Sequence, residues 1–308
     1  MAVNVLPSQG VNMKRRSFLA AGAYLLAARA GWSLDAAPRS TRFKQGVTRQ
    51  IFGDLPLEDC CRLAASVGVK GFDFICDPGD WPTLRRYGLT MSMYRLDYGG
   101  GISKGRTPEG PPGWNSIGHA EAMGEHLKAM LAAIDIAARE GFPNVIALAG
   151  SREGISYGEG ADNAVAFFNA VKQKAELRGV TLCMELLNSK GMQAPPHSLF
   201  DHAAWGFEVA RRVNSPRVKI LYDIWHAQLM DGDIVRTIRE NIDWIGHFHT
   251  GGVPDRHELF RKDELDYRTI AEAITSSGFA GFVTHEWSPS AQSDAAEDLR
   301  RSVDLMNV

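Results

Sequence analysis

The chain alternates short apolar runs with helical patterns along most of its length, and this alternation limits the folds open to it. Runs that predict strands, rich in apolar, β-branched or aromatic residues, lie at 43–48, 70–75, 89–94, 144–150, 180–187, 218–224, 245–251 and 281–287. Patterns that predict helices lie at 57–67, 81–87, 120–140, 163–177, 203–213, 233–241, 267–277 and 291–306. Alternating strands and helices predict a parallel sheet, because parallel neighbours need a crossover connection.

The number of strand–helix units favours a closed barrel over an open sheet. Eight units in a chain of 308 residues fit a (β/α)8 TIM barrel, which usually takes about 250 residues. A doubly wound open sheet, the alternative, usually carries a glycine-rich phosphate-binding turn after its first strand. The first predicted strand is followed instead by RQIFGDLPLE. The sequence therefore predicts an α/β fold, a single TIM barrel domain over residues 39–308.

Residues 1–38 have the character of an N-terminal extension with an export signal. Lys14, Arg15 and Arg16 precede a short apolar run that ends in Ala-Arg-Ala at 28–30. This order is typical of a twin-arginine signal with an A-x-A cleavage site, and the run is too short for a permanent membrane anchor. We predict a periplasmic protein, or a cytoplasmic one if the signal is not functional. A basic, disordered tail is the alternative interpretation.

Composition argues against some classes of partner. The 34 basic and 36 acidic residues give a formal net charge of −2, so no positive excess indicates nucleic acid or an anionic membrane. Four cysteines, without metal-ligand spacing, are expected to be buried thiols rather than a disulfide framework. They are Cys60, Cys61, Cys76 and Cys183.

Polar residues gather at the ends of the last four predicted strands. They are Glu185, then Asp223 with His226, then His247 and His249, and finally His285 and Glu286. Reactive residues of a TIM barrel lie at the C-terminal ends of its strands. Several carboxylates at one mouth repel each other unless a positive charge lies among them. Three carboxylates and an imidazole therefore predict a site for a hard or borderline divalent metal.

Strand alternation narrows the choice of ligands. His247 and His249 share one face of their strand, whereas the adjacent His285 and Glu286 point to opposite faces, so only one of that pair faces the barrel axis. For each residue alone a plainer role is available. A strand-end aspartate is more often a helix cap than a ligand, and a lone strand histidine is more often a hydrogen-bonded core residue. Their joint occurrence on four successive strands favours a site.

Five segments carry a resemblance to a known family. They are MELLNS (184–189), LYDIWHAQLMDGD (221–233), IGHFHTGGVPDRHE (245–258), ELDY (264–267) and GFVTHEWSP (281–289). Together they resemble the hydroxypyruvate isomerase group of the xylose isomerase-like TIM barrels. That superfamily also includes ketose 3-epimerases, inosose dehydratases and endonucleases of the endonuclease IV type. The resemblance spans most of residues 43–290 and is strongest from the fifth strand onward.

The resemblance implies a metal cage and a pair of catalytic groups. The ligands that it implies are Glu185, Asp223, His249 and Glu286. Manganese or magnesium is the expected ion, with cobalt or zinc left open by the histidine. In such relatives the two glutamates also move the proton, which assigns catalysis to Glu185 and Glu286.

The resemblance also implies residues that bind substrate. His226 matches a histidine that reaches a substrate oxygen, and Arg256 matches an arginine at the polar end of the substrate, with His257 beside it. Asp73 stands where relatives usually have a glutamate near the site. It is expected either to line the substrate pocket or to anchor a loop.

The implied reaction is metal-dependent isomerisation of hydroxypyruvate to tartronate semialdehyde, in which an enediolate forms between two glutamates. A ketose 3-epimerase or inosose dehydratase on the same scaffold is the alternative. An endonuclease IV-like enzyme would need several metals and more than these nine histidines, and a non-catalytic sugar-binding barrel would not need the cage.

The expected partner is a small sugar or hydroxy-keto acid, and a homo-oligomer is compatible with the sequence. The glycine- and proline-rich segment 94–115 is expected to be a lid or a disordered insertion.

Overall fold

Eight parallel strands form the centre of the structure. The computed structural model describes residues 42–95, 116–190, 197–261, 264–291 and 293–308. The strands are β1 Lys44–Thr48, β2 Gly71–Asp73, β3 Thr90–Met93, β4 Asn144–Leu148, β5 Thr181–Glu185, β6 Val218–Asp223, β7 Ile245–Thr250 and β8 Phe282–His285. Each lies within one of the eight predicted runs.

Nine α-helices accompany these strands in the described part of the chain. They are α1 Leu57–Ser66, α2 Trp81–Arg86, α3 Glu125–Glu140, α4 Tyr157–Arg178, α5 Ala203–Val213, α6 Ile224–Met230, α7 Ile234–Asn241, α8 Tyr267–Ser276 and α9 Ala295–Met306. Short 3-10 turns lie at Arg49–Phe52, Ala120–Met123 and Ile242–Trp244. No helix among the described residues is long and apolar enough to cross a membrane.

The strands pair in the order of a barrel, which confirms the predicted fold. All neighbours are parallel, and β1 pairs with both β2 and β8. The remaining seam, between β3 and β4, is bridged by Tyr94, whose N–H donates to Asn144 O at 2.8 Å and whose carbonyl accepts from Ile146 N at 3.0 Å. The C-terminal ends of all eight strands therefore surround one mouth.

Alternation along the strands separates two environments. Residues that face the helices form the main apolar core, with Tyr222, Phe248 and Val283 among its fully buried members. A smaller apolar cluster is separate from this core and consists of Met93, Ile146, Cys183 and Leu221. All four cysteines are buried and free, as predicted.

Helix α4 begins six residues before its predicted start and α9 four residues after, and two further helical predictions differ more clearly from the structure. The single helix expected over 120–140 is divided at Gly124 into a 3-10 turn and α3, because Gly124 has φ −90° and ψ −115°, outside the helical region. Helix α6 was not predicted. It follows β6 directly, without the polar loop that normally marks a helix start, and the aspartate that ends the strand is its cap.

The predicted export signal lies outside the described residues, as do residues 96–115 of the expected lid. Both therefore stay predictions.

Candidate active site

Four side chains from successive strands converge at the C-terminal mouth of the barrel. They are Glu185 at the end of β5, Asp223 at the end of β6, His249 near the end of β7 and Glu286 directly after β8, and we call them the cage. One ligand atom from each lies within 4.8 Å of the others. Asp223 and His249 are fully buried, whereas the side chains of Glu185 and Glu286 keep 10% and 16% exposure. The two glutamates are therefore the cage members that remain accessible from the mouth.

Asp223 has two roles, one for each carboxylate oxygen. Oδ1 accepts the backbone N–H of His226 at 3.0 Å and so caps α6. Oδ2 lies 2.6 Å from Arg256 Nη2 and 3.7 Å from His249 Nδ1. The helix-cap interpretation and the ligand interpretation of this strand-end aspartate are thus compatible, because each uses a different oxygen.

The His249 imidazole presents a different nitrogen to each side. Its Nδ1 lies 2.7 Å from Glu286 Oε2 and 3.2 Å from Glu185 Oε1. Its Nε2 lies 3.0 Å from Asp73 Oδ2 on the opposite side of the ring. The ring of Phe74 meets it edge-on, with centroids 5.8 Å apart. The Nδ1 atom, rather than Nε2, is therefore the nitrogen that could bind a metal ion in the cage.

Arg256 supplies positive charge beside the cage. Its Nη2 donates to Asp223 Oδ2 and to Glu286 Oε2, both at 2.6 Å, and its Nε donates to the carbonyl of Glu286 at 2.9 Å. The guanidinium also stacks over the ring of Trp225 at 4.7 Å, a cation–π contact. These contacts hold a residue whose backbone is left-handed, at φ 57°.

Electrostatics separate the two glutamates of the cage. Burial raises the pKa of Glu185, and the hydrogen bond from His249 offsets this only in part. Burial would also raise the pKa of Glu286, but His249 and Arg256 hold it below its usual value. Burial opposes the ionisation of Asp223 too, yet Arg256 and His226 bring its pKa well below the usual range. Glu185 is thus the cage carboxyl that most readily keeps a proton.

The donor set of the cage fits a divalent metal. With a neutral imidazole the four side chains carry three negative charges in a buried space, an arrangement that is stable only with positive charge among them. The pKa of His249 reflects the same need for positive charge among the carboxylates. Burial would lower this pKa, but Glu286 and the other carboxylates raise it well above its usual value. Oxygen-rich sets with one imidazole suit magnesium, manganese, cobalt or zinc.

Asp73 lies within the barrel, on the far side of His249 from the cage carboxylates. Its Oδ2 accepts from His247 Nε2 at 2.8 Å and from His249 Nε2 at 3.0 Å, and its Oδ1 accepts from Ser92 Oγ. The side chain is fully buried. A contact between Asp73 and substrate stays a prediction, because both carboxylate oxygens are already engaged by buried side chains.

His226 lies in the first turn of α6 and is buried beside Arg256. Its Nε2 is 2.8 Å from Arg256 Nη1, and its Nδ1 accepts the backbone N–H of Asn188 at 2.9 Å. Burial lowers the pKa of His226 to about 4, so the ring is neutral at pH 7. Sequence reasoning missed Asn188 and Trp225, although both stand inside the segments MELLNS and LYDIWHAQLMDGD.

His257 joins the loops that follow β7 and β8. Its Nδ1 lies 2.8 Å from the carbonyl of Ser288, and the N–H of Ser288 donates to Arg256 O at 2.7 Å. Tyr267 holds the start of the same β7 loop, because its hydroxyl donates to Gly251 O at 2.7 Å. His257 thus lies next to Arg256 as predicted, and its contact with a substrate is untested.

The predicted alternation on β7 and β8 is confirmed. His247 and His249 both contact Asp73 inside the barrel. His285 points to the opposite face from Glu286, where its Nε2 lies 2.8 Å from Gln45 Oε1 and its Nδ1 lies 3.0 Å from Thr250 Oγ1. Burial lowers the pKa of His285 to about 3, so this ring is a neutral core histidine.

Comparison with known proteins decides the family. Residues 61–307 match the family described as Xylose isomerase-like TIM barrel. The chain belongs to this family. A solved structure described as AP endonuclease, family 2, from Brucella melitensis superposes on this xylose isomerase-like barrel with a TM-score of 0.68 and 26% identity, over 84% of this chain and 97% of the other.

Several curated relatives of this xylose isomerase-like barrel carry the names of isomerases. The 2-oxo-tetronate isomerase of Cupriavidus necator is 30% identical over 121 residues, 39% of this chain and 45% of the relative. The putative hydroxypyruvate isomerase of Danio rerio is 34% identical over 94 residues, 30% of this chain and 34% of the relative. The chain thus matches less than half the length of these two. The 2-oxo-tetronate isomerase of Pectobacterium atrosepticum is 23% identical over 254 residues, 79% of this chain and 91% of the relative.

Proposed function

We propose that this protein is a metal-dependent isomerase of a small hydroxy-keto acid, of the type that interconverts hydroxypyruvate and tartronate semialdehyde. The observation that carries the proposal is the convergence of Glu185, Asp223, His249 and Glu286 within 4.8 Å at the barrel mouth. The names of the relatives, 2-oxo-tetronate isomerase and hydroxypyruvate isomerase, support the same class of reaction.

The cage would hold the metal, and its residues set where the substrate can react. A bound divalent ion would supply positive charge next to the substrate carbonyl and hydroxyl oxygens, which makes the neighbouring C–H more acidic. Asp223 and His249 are fully buried and would hold the ion without contacting the substrate. Glu185 and Glu286, which keep some exposure, can reach both the ion and a substrate.

The two glutamates would divide the proton transfer between them. Glu286, whose pKa is held below its usual value, is ionised and can accept the proton of the hydroxymethyl carbon. Glu185, the other partly exposed glutamate of the cage, would return a proton drawn from solvent to the adjacent carbonyl carbon, and the proton held by Glu286 would pass to solvent. The hydroxyl proton passes to the former carbonyl oxygen. Bonds and electrons then balance within one molecule, and no redox partner is needed.

Arg256 favours an acid over a neutral sugar. A guanidinium binds a planar carboxylate through two parallel hydrogen bonds, a geometry that a hydroxyl group does not offer. Arg256 already contacts two cage carboxylates, at 2.6 Å each. With a divalent ion bound, the cage carboxylates would depend less on the positive charge of Arg256. A substrate carboxylate next to the cage would then replace part of their hydrogen bonds with the guanidinium.

A turnover screen tests this proposal. Manganese-loaded protein is incubated in deuterated water with hydroxypyruvate, tartronate semialdehyde, 2-oxo-tetronate, neutral ketoses and inososes, and products are identified by NMR. We expect isomerisation of an acid, with deuterium at the carbon that receives the proton. The matched control is Glu286→Gln, which keeps the size of the side chain and should abolish deuterium incorporation.

The other outcomes have distinct meanings. Faster turnover of a neutral ketose, with inversion at carbon 3, would replace the proposal by an epimerase, and water loss from an inosose would replace it by a dehydratase. Bound metal without turnover of any of these compounds would point to a non-catalytic barrel.

A further inference from the structure

The orientation of the His249 ring requires an acceptor on its Nε2 side. A neutral imidazole carries one proton, so the nitrogen opposite the protonated one is the nitrogen that can bind a metal. In His249 the Nδ1 atom faces Glu185, Asp223 and Glu286, whereas Nε2 faces Asp73 Oδ2 at 3.0 Å. An ionised carboxylate only accepts hydrogen bonds, so this contact requires the proton to be on Nε2.

Asp73 is itself fixed by further buried donors. His247 Nε2 reaches the same Oδ2 atom at 2.8 Å, and Ser92 Oγ donates to Oδ1. The Nδ1 atom of His247 lies 3.3 Å from Asn144 Nδ2, which is a donor and leaves the His247 proton on Nε2. Each of these side chains has at most 5% exposure. The carboxylate therefore has little freedom to turn away from His249.

We propose that Asp73 is a positioning residue for the metal: it holds His249 in the Nε2–H tautomer and aims the lone pair of Nδ1 into the cage. This inference rests on the proposed metal dependence, and it gives Asp73 a role other than contact with substrate. Acceptors of this kind behind a ligating histidine orient the ring and raise its basicity.

A second metal site is not the better explanation of the same residues. Asp73, His247 and His249 also lie close enough together to hold an ion. However, the Nε2 atoms of both rings are engaged by Asp73 and all three side chains are fully buried, whereas the cage keeps two partly exposed glutamates. An ion there would have to displace these contacts inside a fully buried space.

The test compares Asp73→Asn with Thr284→Val. The first variant replaces a charged acceptor by a neutral amide of the same shape, which can also offer a donor to His249. The second variant removes Thr284 Oγ1, which lies 3.0 Å from His247 Nε2, and leaves the contact between Asp73 and His249 in place. Manganese affinity is measured from the electron paramagnetic resonance signal of the free ion during a titration.

We expect Asp73→Asn to weaken manganese binding by roughly 10- to 100-fold, and Thr284→Val to bind like the parent. Thermal unfolding in EDTA and in manganese provides a second readout. A positioning role predicts a smaller manganese-induced rise in Tm for Asp73→Asn. A purely structural role would lower both Tm values equally and leave the rise unchanged, which would overturn the inference.

Ser92→Ala keeps the inference testable if Asp73→Asn does not fold. This change removes the donor to Asp73 Oδ1 and should weaken manganese binding in the same direction by a smaller factor. Unchanged affinity in every folded variant would overturn the positioning role and leave the proposed function intact. A parent protein that binds no manganese, magnesium, cobalt or zinc would overturn both.

Discussion

The four cage residues lie above two different kinds of interior. On β5 and β6 the inward-facing residue one step below the cage is apolar, namely Cys183 below Glu185 and Leu221 below Asp223. On β7 and β8 that residue is polar, namely His247 below His249 and Thr284 below Glu286. The barrel therefore has an apolar floor under one half of the cage and a hydrogen-bonded floor under the other.

This difference shows how one site can both hold charge and fix geometry. Carboxylates above an apolar floor receive no hydrogen bonds from below, so their charge depends on cations at the level of the cage. The pKa of Glu185 is accordingly raised by burial, whereas Asp223 ionises because Arg256 lies beside it. Above the polar floor, Asp73 and His247 can instead set the orientation of a ligand.

The largest expected effect is from Asp223→Ala, on the apolar side. Loss of this carboxylate removes one ligand and leaves Arg256 and Glu286 to pair with each other. We expect the metal content to fall to a small fraction of the parent's and kcat/KM to fall on the order of 1000-fold, since the ion contributes several kcal/mol. Elemental analysis of the purified variant and steady-state kinetics measure the two effects.

The matched control for the loss of a helix cap is Asp266→Ala. Asp266 caps α8 by accepting from Arg268 N, Thr269 N and Thr269 Oγ1, all within its own helix. The Asp266→Ala variant should lose about 1 kcal/mol of unfolding free energy. Its metal content should stay at the parent's level. If Asp223→Ala retained the metal content of the parent, the assignment of Asp223 to the cage would be wrong.

An intermediate effect is expected from Arg256→Lys, which keeps the charge but loses the planar fork. Removing one charged hydrogen-bonding partner should lower kcat/KM by roughly 30- to 1000-fold. The loss should be greater for hydroxypyruvate than for a neutral ketose, because only the acid presents a planar anion. Metal content should stay at the parent's level.

Arg261→Lys in the same loop is the control for Arg256→Lys. Arg261 pairs with Glu258 and Asp298 instead of the cage, so its kinetics should stay close to the parent's. Equal losses on acid and neutral substrates for Arg256→Lys would favour a neutral sugar, and no loss on either would remove Arg256 from substrate binding.

The smallest expected effect concerns His285, on the outer face of β8, and appears in stability. Its pKa is about 3 in the folded protein against 6.5 for an ordinary histidine. Below pH 6.5 the unfolded chain therefore binds a proton that the folded protein does not, and stability falls as the pH falls towards 3. Between pH 7 and pH 5 this contributes a loss of about 2 kcal/mol.

Urea unfolding of the parent and of His285→Gln at pH 7 and pH 5 measures this loss. The variant lacks the titrating ring, so its stability should decrease less over this range. Parallel decreases in the two proteins would show that the pKa of His285 is not lowered by burial on the outer face of β8.

Much of the fold could be predicted because its signals are local. The strand runs and most helical patterns are read within windows of a few residues, and eight alternating units leave few arrangements open. The prediction failed at Gly124 and at α6. At α6, Asp223 both ends a strand and caps a helix, so no turn composition separates the two elements.

The cage could be predicted for a related reason. In a TIM barrel the C-terminal ends of all the strands surround one mouth, so a residue at the end of a strand can be placed near that mouth from the sequence alone. Strand alternation then allowed only one of His285 and Glu286 to face the axis, and the family resemblance selected Glu286. The supporting residues could not be found in this way, because Ser92 and Asn144 are single uncharged polar residues that belong to no motif and no pattern of spacing.

The sequence by itself determined the alternation of strands and helices. It also determined which residues of each strand share a face, and so which sets of side chains point to the barrel axis together. Only the tertiary structure decided which of those side chains meet. Asp73 reaches His249 across 176 residues, and Arg256 reaches Asp223 across 33. Such pairs depend on barrel closure and on the depth at which each strand places its residues. No local pattern encodes that depth, because it results from the register of all eight strands together.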